Sequence, residues 1–254
     1  MGGIRVPYRE KKIYSGRILE VEIYPITLQE RKQSRRQKEK ISEPKQKNLN
    51  DKNAKKHLIR LLNTNFSDND LHITLTYKDD ALPKDEEDAK KDVNNYLRRI
   101  KRFLKKNELP ELKYIAVIEY REGKNGKKVR MHHHIVISGD VGRDNAEKLW
   151  KKGRANADRL QADEFGYEAL ARYISKDPQG KKRWTQSRNL KQPTIRVSDY
   201  KYSNRKVNQL ATNQGDKTEF EKLYPGYIYT SYEVQINEVT AGTYIYLKMR
   251  KEDG

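Results

Sequence analysis

The chain of 254 residues carries 55 Lys and Arg against 36 Asp and Glu, a formal charge of +19. That surplus excludes partners that are only cationic or only apolar and points to a polyphosphate, above all nucleic acid. Cysteine is absent, which rules out disulfides, thiolate metal sites and cysteine nucleophiles, so any metal must rest on histidine, carboxylate or water. No stretch approaches the ~18 apolar residues of a membrane span, and Met1 to Arg9 lacks the apolar heart of a signal peptide, so a soluble protein with no membrane partner is expected.

Along the chain, Lys11 to Ile26 alternates loosely through Ile13, Ile18, Val21 and Ile23 and reads as one or two strands. Lys32 to Lys47 is almost without apolar residues and reads as a solvated basic connector, which either contacts duplex DNA or only keeps the chain in solution. Asn50-Asp51 suits the cap of a helix carrying Ala54, Leu58, Leu61 and Leu62 and ending near Asn63 to Asn65. Leu71 to Tyr77 reads as a strand with Ile73, Leu75 and Tyr77 on one face and His72, Thr74 and Thr76 on the other. Beyond Pro83 the stripe of Ala89, Val93, Tyr96, Leu97, Ile100, Phe103 and Leu104 predicts a helix that stops before Pro110.

Leu112 to Tyr120 and Val129 to Ser138 read as strands around the loop REGKNGKK. Asp144 to Trp150 and Tyr167 to Lys176 look helical, the second stopped by Asp177-Pro178. Lys181 to Gln192 is a basic loop, Ser203 to Asn213 and Lys217 to Leu223 are helices, and Ile228 to Ile236 with Thr243 to Met249 suits a terminal hairpin. With no internal repeat, the expected organisation is a basic N-terminal extension with short strands over 1–47 and one α+β domain over 48–254, a central antiparallel sheet with helices packed on it.

The internal hairpin carries the chemistry. Asn125-Gly126 suits a two-residue turn in which both residues need positive φ, and counting outward sets Glu119 opposite His132. Side chains alternate along a strand, so His132 and His134 share a face while His133 joins Met131, Ile135 and Ile137 on the other. Cross-strand neighbours lie about 5 Å apart at Cβ, so Glu119, His132 and His134 converge. Two imidazoles and a carboxylate with open positions suit a divalent cation that binds one further oxygen ligand. His72, from the first strand of this region, is an alternative third ligand.

The second element is ARYISKDP, which puts Tyr173 and Lys176 on one helical face. A lysine one turn from a tyrosine lowers the phenol's pKa and neutralises charge that develops when the phenolate attacks a phosphate. Alone, this pair is common in a chain so rich in both residues. Further on, Lys181, Lys182, Arg183 and Arg188 surround Trp184, a loop that either guides single-stranded DNA by phosphate contacts and base stacking or tucks its indole into the core. Thr74 and Thr76 either line the DNA-facing surface beside His72 or reflect plain β propensity.

Taken together, the strand LHITLTY, the histidine strand His132-His133-His134 with Glu119 on the strand before it, and the Tyr173-x-x-Lys176 helix resemble the HUH endonuclease superfamily, in particular its rolling-circle replication initiators, over Leu71 to Pro178. The resemblance implies an RRM-like core with helices against its sheet. It implies a Mn²⁺- or Mg²⁺-dependent site-specific nickase and ligase of single-stranded DNA, in which Tyr173 forms a 5′-phosphotyrosyl link and frees a 3′-OH primer. It further implies a replication origin with a hairpin as partner, and work in a bacterial cytoplasm, or in a nucleus if the source is a eukaryotic virus. A P-loop is missing, so a separate helicase and polymerase are expected. A single-Tyr transposase, a relaxase or a non-catalytic nucleic-acid-binding module are the alternatives. His133 departs from the superfamily pattern, whose middle position is usually hydrophobic.

Overall fold

The computed structural model describes residues 7–27, 44–122, 128–175, 183–212, 216–237 and 242–252. These divide into two compact units, the first built from 1–64, 164–166 and 192–254 and the second from 65–163 and 167–191. Among the described residues are two antiparallel five-stranded sheets and six α-helices, an α+β fold with helices packed on sheets.

In the first unit, β1 (Tyr8–Ser15) and β2 (Ile18–Pro25) form a hairpin that joins β8 (Thr194–Ser198), β9 (Tyr227–Ile236) and β10 (Thr243–Lys251) in the order β8-β1-β2-β10-β9. Gly16 turns this hairpin at φ 58°, and a Cβ there would stand 1.9 Å from the Asn63 carbonyl, so no other residue fits. Leu19, Val21, Ile23, Ile245, Leu247 and Met249 bury one sheet face against Val207 and Leu210 of α5 (Asn204–Thr212) and Phe220 of α6 (Lys217–Leu223). Glu10 is buried but paired, accepting from Lys201 Nζ and Tyr224 Oη at 2.7 Å each, which offsets its desolvation. The expected division at residue 47 does not follow this arrangement, because the N-terminal strands pair with the C-terminal hairpin. Helix α1 (Pro44–Asn65) starts six residues before the expected Asn50-Asp51 cap. Proline at the first helical position is preset for the helix and loses no intrahelical bond there.

The second unit contains β3 (Leu71–Leu75), α2 (Glu86–Lys106), β4 (Tyr114–Glu122), β5 (Lys128–Ile137), α3 (Arg143–Lys148), β6 (Ala155–Arg159), α4 (Glu168–Ile174) and β7 (Thr185–Gln186). Its sheet runs β6-β3-β5-β4-β7. Helix α2 has every local determinant in agreement. Asp85 caps it through Asp88 N at 2.8 Å, Glu86 and Glu87 sit at its positive end, Lys105 and Lys106 at its negative end, and the expected stripe is buried apart from the half-buried Phe103. That stripe packs on Leu71, Ile73, Leu75, Ala116, Ile135 and Ile137. The other face of this sheet buries Ile115, Val117 and Val136 and also carries the polar side chains Glu119, His132 and His134.

Candidate active site

β5 is the central strand, flanked by β3 and β4, and the ladder fixes which polar groups meet on the face away from α2. Glu119 pairs with His132, Thr74 with His134, His72 with Asp158 and Thr74 with Asn156. Alternation therefore strings Glu119, His132, His134, Thr74, His72, Asn156 and Asp158 across one surface.

Glu119, His132 and His134 form a cluster whose ligating atoms lie within 4.8 Å of one another. Glu119 Oε2 is 3.4 Å from His132 Nε2 and 3.3 Å from His134 Nε2. An octahedral ion with bonds of about 2.1 Å holds adjacent ligands about 3 Å apart, so small shifts bring these atoms into coordination range. His132 Nδ1 lies 3.0 Å from the Arg130 carbonyl, to which it donates, and this leaves the Nε2 lone pair for a cation. His134 Nε2 is buried and, although Glu119 Oε2 lies 3.3 Å away, makes no well-aligned hydrogen bond, an arrangement that costs free energy unless an electrophile occupies the space. Burial pushes the His134 pKa down, and the neighbouring His72 and His132 add to the effect against the opposing pull of Glu119. Burial likewise lowers His72. Both rings are neutral near pH 7, the form a metal ligand needs. The residues present fit a divalent cation.

His72 lies outside this cluster: its Nε2 is 3.3 Å from His134 Nδ1, the ring nitrogen turned away from Glu119. Thr74 Oγ1 stands 3.5 Å from the same nitrogen. Thr76 is further off and donates to the Arg154 carbonyl at 3.1 Å.

The Asn125-Gly126 turn lies outside the described residues, yet the strands beside it carry information. A two-residue turn there would pair Glu122 with Val129, whereas Glu122 pairs with Lys128 and Arg121 with Val129. A register shift between Glu119 and Arg121 adds one residue on β5 and returns the ladder to the pairing of Glu119 with His132. The expected pair forms, but a bulge sets it.

Tyr173 stands over this surface on α4. Its ring centroid is 5.1 Å from that of His134 and 6.4 Å from that of His72, and the residue is 57 % exposed. Ala171 and Ile174 are buried beneath the helix, Leu170 is half-buried, and Tyr173 is exposed. Tyr167, in contrast, is buried and donates to Asp68 at 2.9 Å. Lys176, Lys181 and Lys182 lie outside the described residues.

His133 points into the core under α2, fully buried, with its Nε2 2.7 Å from the Tyr77 hydroxyl. Trp184, Arg183 and Thr185 line a cavity with Val93 and Asn94 of α2 and with Ala116 and Ile118 of β4. Ala116 and Ile118 alternate with Glu119, so the structure does not bring Trp184 to the Glu119 face. Arg188 is exposed on the loop after β7. Sequence reasoning missed β6 and with it Asn156 and Asp158; the only signal was the small apolar pair Ala155 and Ala157 at strand spacing.

The fold and the cluster define an α+β domain with a histidine- and carboxylate-bearing sheet face that could hold a metal ion, and an exposed tyrosine beside it. Residues 70–178 match the family described as Replication-associated protein ORF2/G2P. This segment is similar to that family, a likeness consistent with a rolling-circle replication initiator, and it supports an initiator role with DNA at an origin as partner. The match covers the whole cluster and Tyr173 and leaves most of the first unit outside it. No curated protein and no solved structure matches the chain. No helix among the described residues is long and apolar enough to cross a membrane.

Proposed function

We propose that the second unit is a site-specific endonuclease and ligase that opens one strand of origin DNA to start rolling-circle replication. Tyr173 Oη attacks the scissile phosphorus, the bond from phosphorus to the 3′ oxygen breaks, and the 5′ phosphate stays on the tyrosine. The phenolic proton leaves Tyr173 and the released 3′ oxygen gains one, which gives the 3′-OH a polymerase extends. The reverse attack by a 3′-OH restores the strand without an external energy source, because the ester bond is exchanged rather than hydrolysed.

Glu119, His132 and His134 would hold a divalent cation, Mn²⁺ or Mg²⁺, which would supply positive charge to offset that of the phosphate. The chain's own groups do the remainder. His132 and His134 hold their Nε2 lone pairs on one spot, Thr74 and His72 fix the far side of His134, and α4 holds the phenol over the sheet. Lys176, three residues after Tyr173 in the sequence, would neutralise charge on the attacking oxygen. Unwinding and extension fall to a separate helicase and polymerase, and a hairpin at the origin would present the cleaved strand unpaired.

The observation that carries this reading is the 5.1 Å between the rings of exposed Tyr173 and His134, itself part of the cluster. Incubation with single-stranded origin DNA and Mn²⁺ tests it. The unaltered chain forms a covalent adduct that maps to Tyr173, and Tyr173→Phe forms none while still binding DNA. An adduct on another residue, or one that survives in the Phe variant, overturns the nucleophile assignment.

A further inference from the structure

Beside the cluster, the same sheet face continues onto the edge strand β6 and ends in an open cleft of about 450 Å³. His72 forms one wall, Asp158, Arg159 and Gln161 come from β6 and the chain after it, Arg143 from the start of α3, and Leu170 from the nucleophile helix. From the geometry we infer that this cleft seats one nucleotide of the cleaved strand next to the scissile phosphate, with Asp158 reading its base. The inference rests on the reading of Tyr173 and the Glu119 cluster as the cleavage site.

The placement follows from the ladder. Asp158 is the direct partner of His72, and β6 lies two strands from β5, roughly 10 Å at the usual strand spacing. A phosphate held over His132 and His134 therefore has its neighbouring base within reach of β6. The volume suits a nucleotide-sized ligand. Leu170 precedes Tyr173 by three residues on α4 and so shares its side of the helix, giving the base an apolar surface close to the attacking phenol.

The polar groups divide by chemistry. Arg143 Nε donates to the Ala157 carbonyl at 2.6 Å and Arg159 donates to the Asn69 carbonyl, so both guanidinium groups are anchored with donors left for a phosphate. Asp158 Oδ2 accepts from Asn156 at 2.6 Å, while Oδ1 forms a long ion pair with Arg143 Nη2 at 3.6 Å and keeps lone pairs that accept no close hydrogen bond from it. A carboxylate only accepts, so Oδ1 favours the exocyclic amino group of cytosine, adenine or guanine over the carbonyl O4 of thymine.

The test is a selection from a random-sequence single-stranded DNA pool, carried out with the full chain bearing Tyr173→Phe so that bound strands stay intact. The pool bound by this chain should deplete thymine at one position by roughly five-fold or more. Adding Asp158→Asn, whose amide can also donate to thymine, should remove that depletion there and nowhere else. Arg143→Gln should weaken binding of every sequence alike and flatten the salt slope by about 0.7. If Asp158→Asn proves unfolded by its melting curve, Gln161→Ala takes its place and should alter the profile at the same single position. An unchanged profile, or one that flattens at every position together, overturns the inference. Because the selection reads binding, it stands even if the adduct experiment refutes Tyr173, and a normal adduct with no base preference refutes the cleft alone.

Discussion

His72 Nε2 lies 3.3 Å from His134 Nδ1, on the side of the ring opposite the Nε2 that faces Glu119. A neutral imidazole carries one proton. With His134 Nε2 buried and making no well-aligned hydrogen bond, the arrangement that wastes least puts the proton on Nδ1, donated to His72, and leaves the Nε2 lone pair for the cation. His72→Ala should weaken Mn²⁺ binding in titration calorimetry about 10- to 100-fold. His72→Gln, whose amide oxygen can accept the same proton, should recover part of that loss. Equal affinity in the Ala variant would show that His134 is oriented by Thr74 and packing alone.

The alternation along β5 separates two roles within three consecutive histidines. Glu119→Ala, His132→Ala and His134→Ala should each abolish calorimetric Mn²⁺ binding, since each removes one of three ligands. His133→Ala should retain binding, because its ring turns away under α2. That variant should instead lose about 2 to 4 kcal/mol of stability in urea, from the cavity and from the Tyr77 hydroxyl left without its partner. Loss of metal binding in His133→Ala with stability intact would mean the strand is turned over.

Acid should act on the same ring. Burial pushes the His133 pKa down to about 3, while in the unfolded chain it sits near its ordinary 6.5. The unfolded state thus takes up a proton below pH 6.5 that the folded state refuses. His133's contribution is therefore complete above pH 6.5 and is lost progressively as pH falls towards 3, by about 1.4 kcal/mol per pH unit. Urea titrations in chelator between pH 7 and pH 4 should show this slope reduced by that amount in His133→Gln. An identical slope in the variant would assign the acid sensitivity to other groups.

What the sequence made legible was whatever short-range pattern controls. The stripe of α2 and the faces of β3 follow from local spacing, and the structure keeps them. The second sheet was not legible: β1 and β2 read as strands, but their partner β10 begins more than 200 residues later, and periodicity carries no information about partners. β6 and β8 escaped notice because each is a short edge strand whose alternation rests on two residues, Ala155 and Ala157 in β6 and Ile195 and Val197 in β8, with most side chains in solvent. At the site, Glu119 opposite His132 was legible, whereas the bulge that sets this pairing was not, since residue types around Tyr120 and Met131 do not announce an extra residue. His72 was visible as a neighbour of the site but not as a group touching the far nitrogen of His134, because that contact depends on ring orientation.

The loop around Trp184 is where charge and stacking part company. Its indole lines a cavity with Val93, Ala116 and Ile118 and donates to Gln186 at 2.8 Å, so its surroundings are those of a packed side chain on the α2 side of the sheet. Trp184→Ala should then lower stability by roughly 1 to 3 kcal/mol in thermal or urea unfolding. Affinity for single-stranded DNA, measured well below the melting temperature, should change little. A base-stacking indole would give the reverse, with stability kept and binding weakened by about 1 to 3 kcal/mol. Arg188 is exposed on the same loop, and Arg188→Gln should flatten the salt dependence of binding by about 0.7 if it contacts a phosphate. Fluorescence anisotropy over a salt series together with melting curves of both variants separates these outcomes. An unchanged slope in Arg188→Gln would show that this loop stands clear of the DNA and that the strand is gripped elsewhere on the unit.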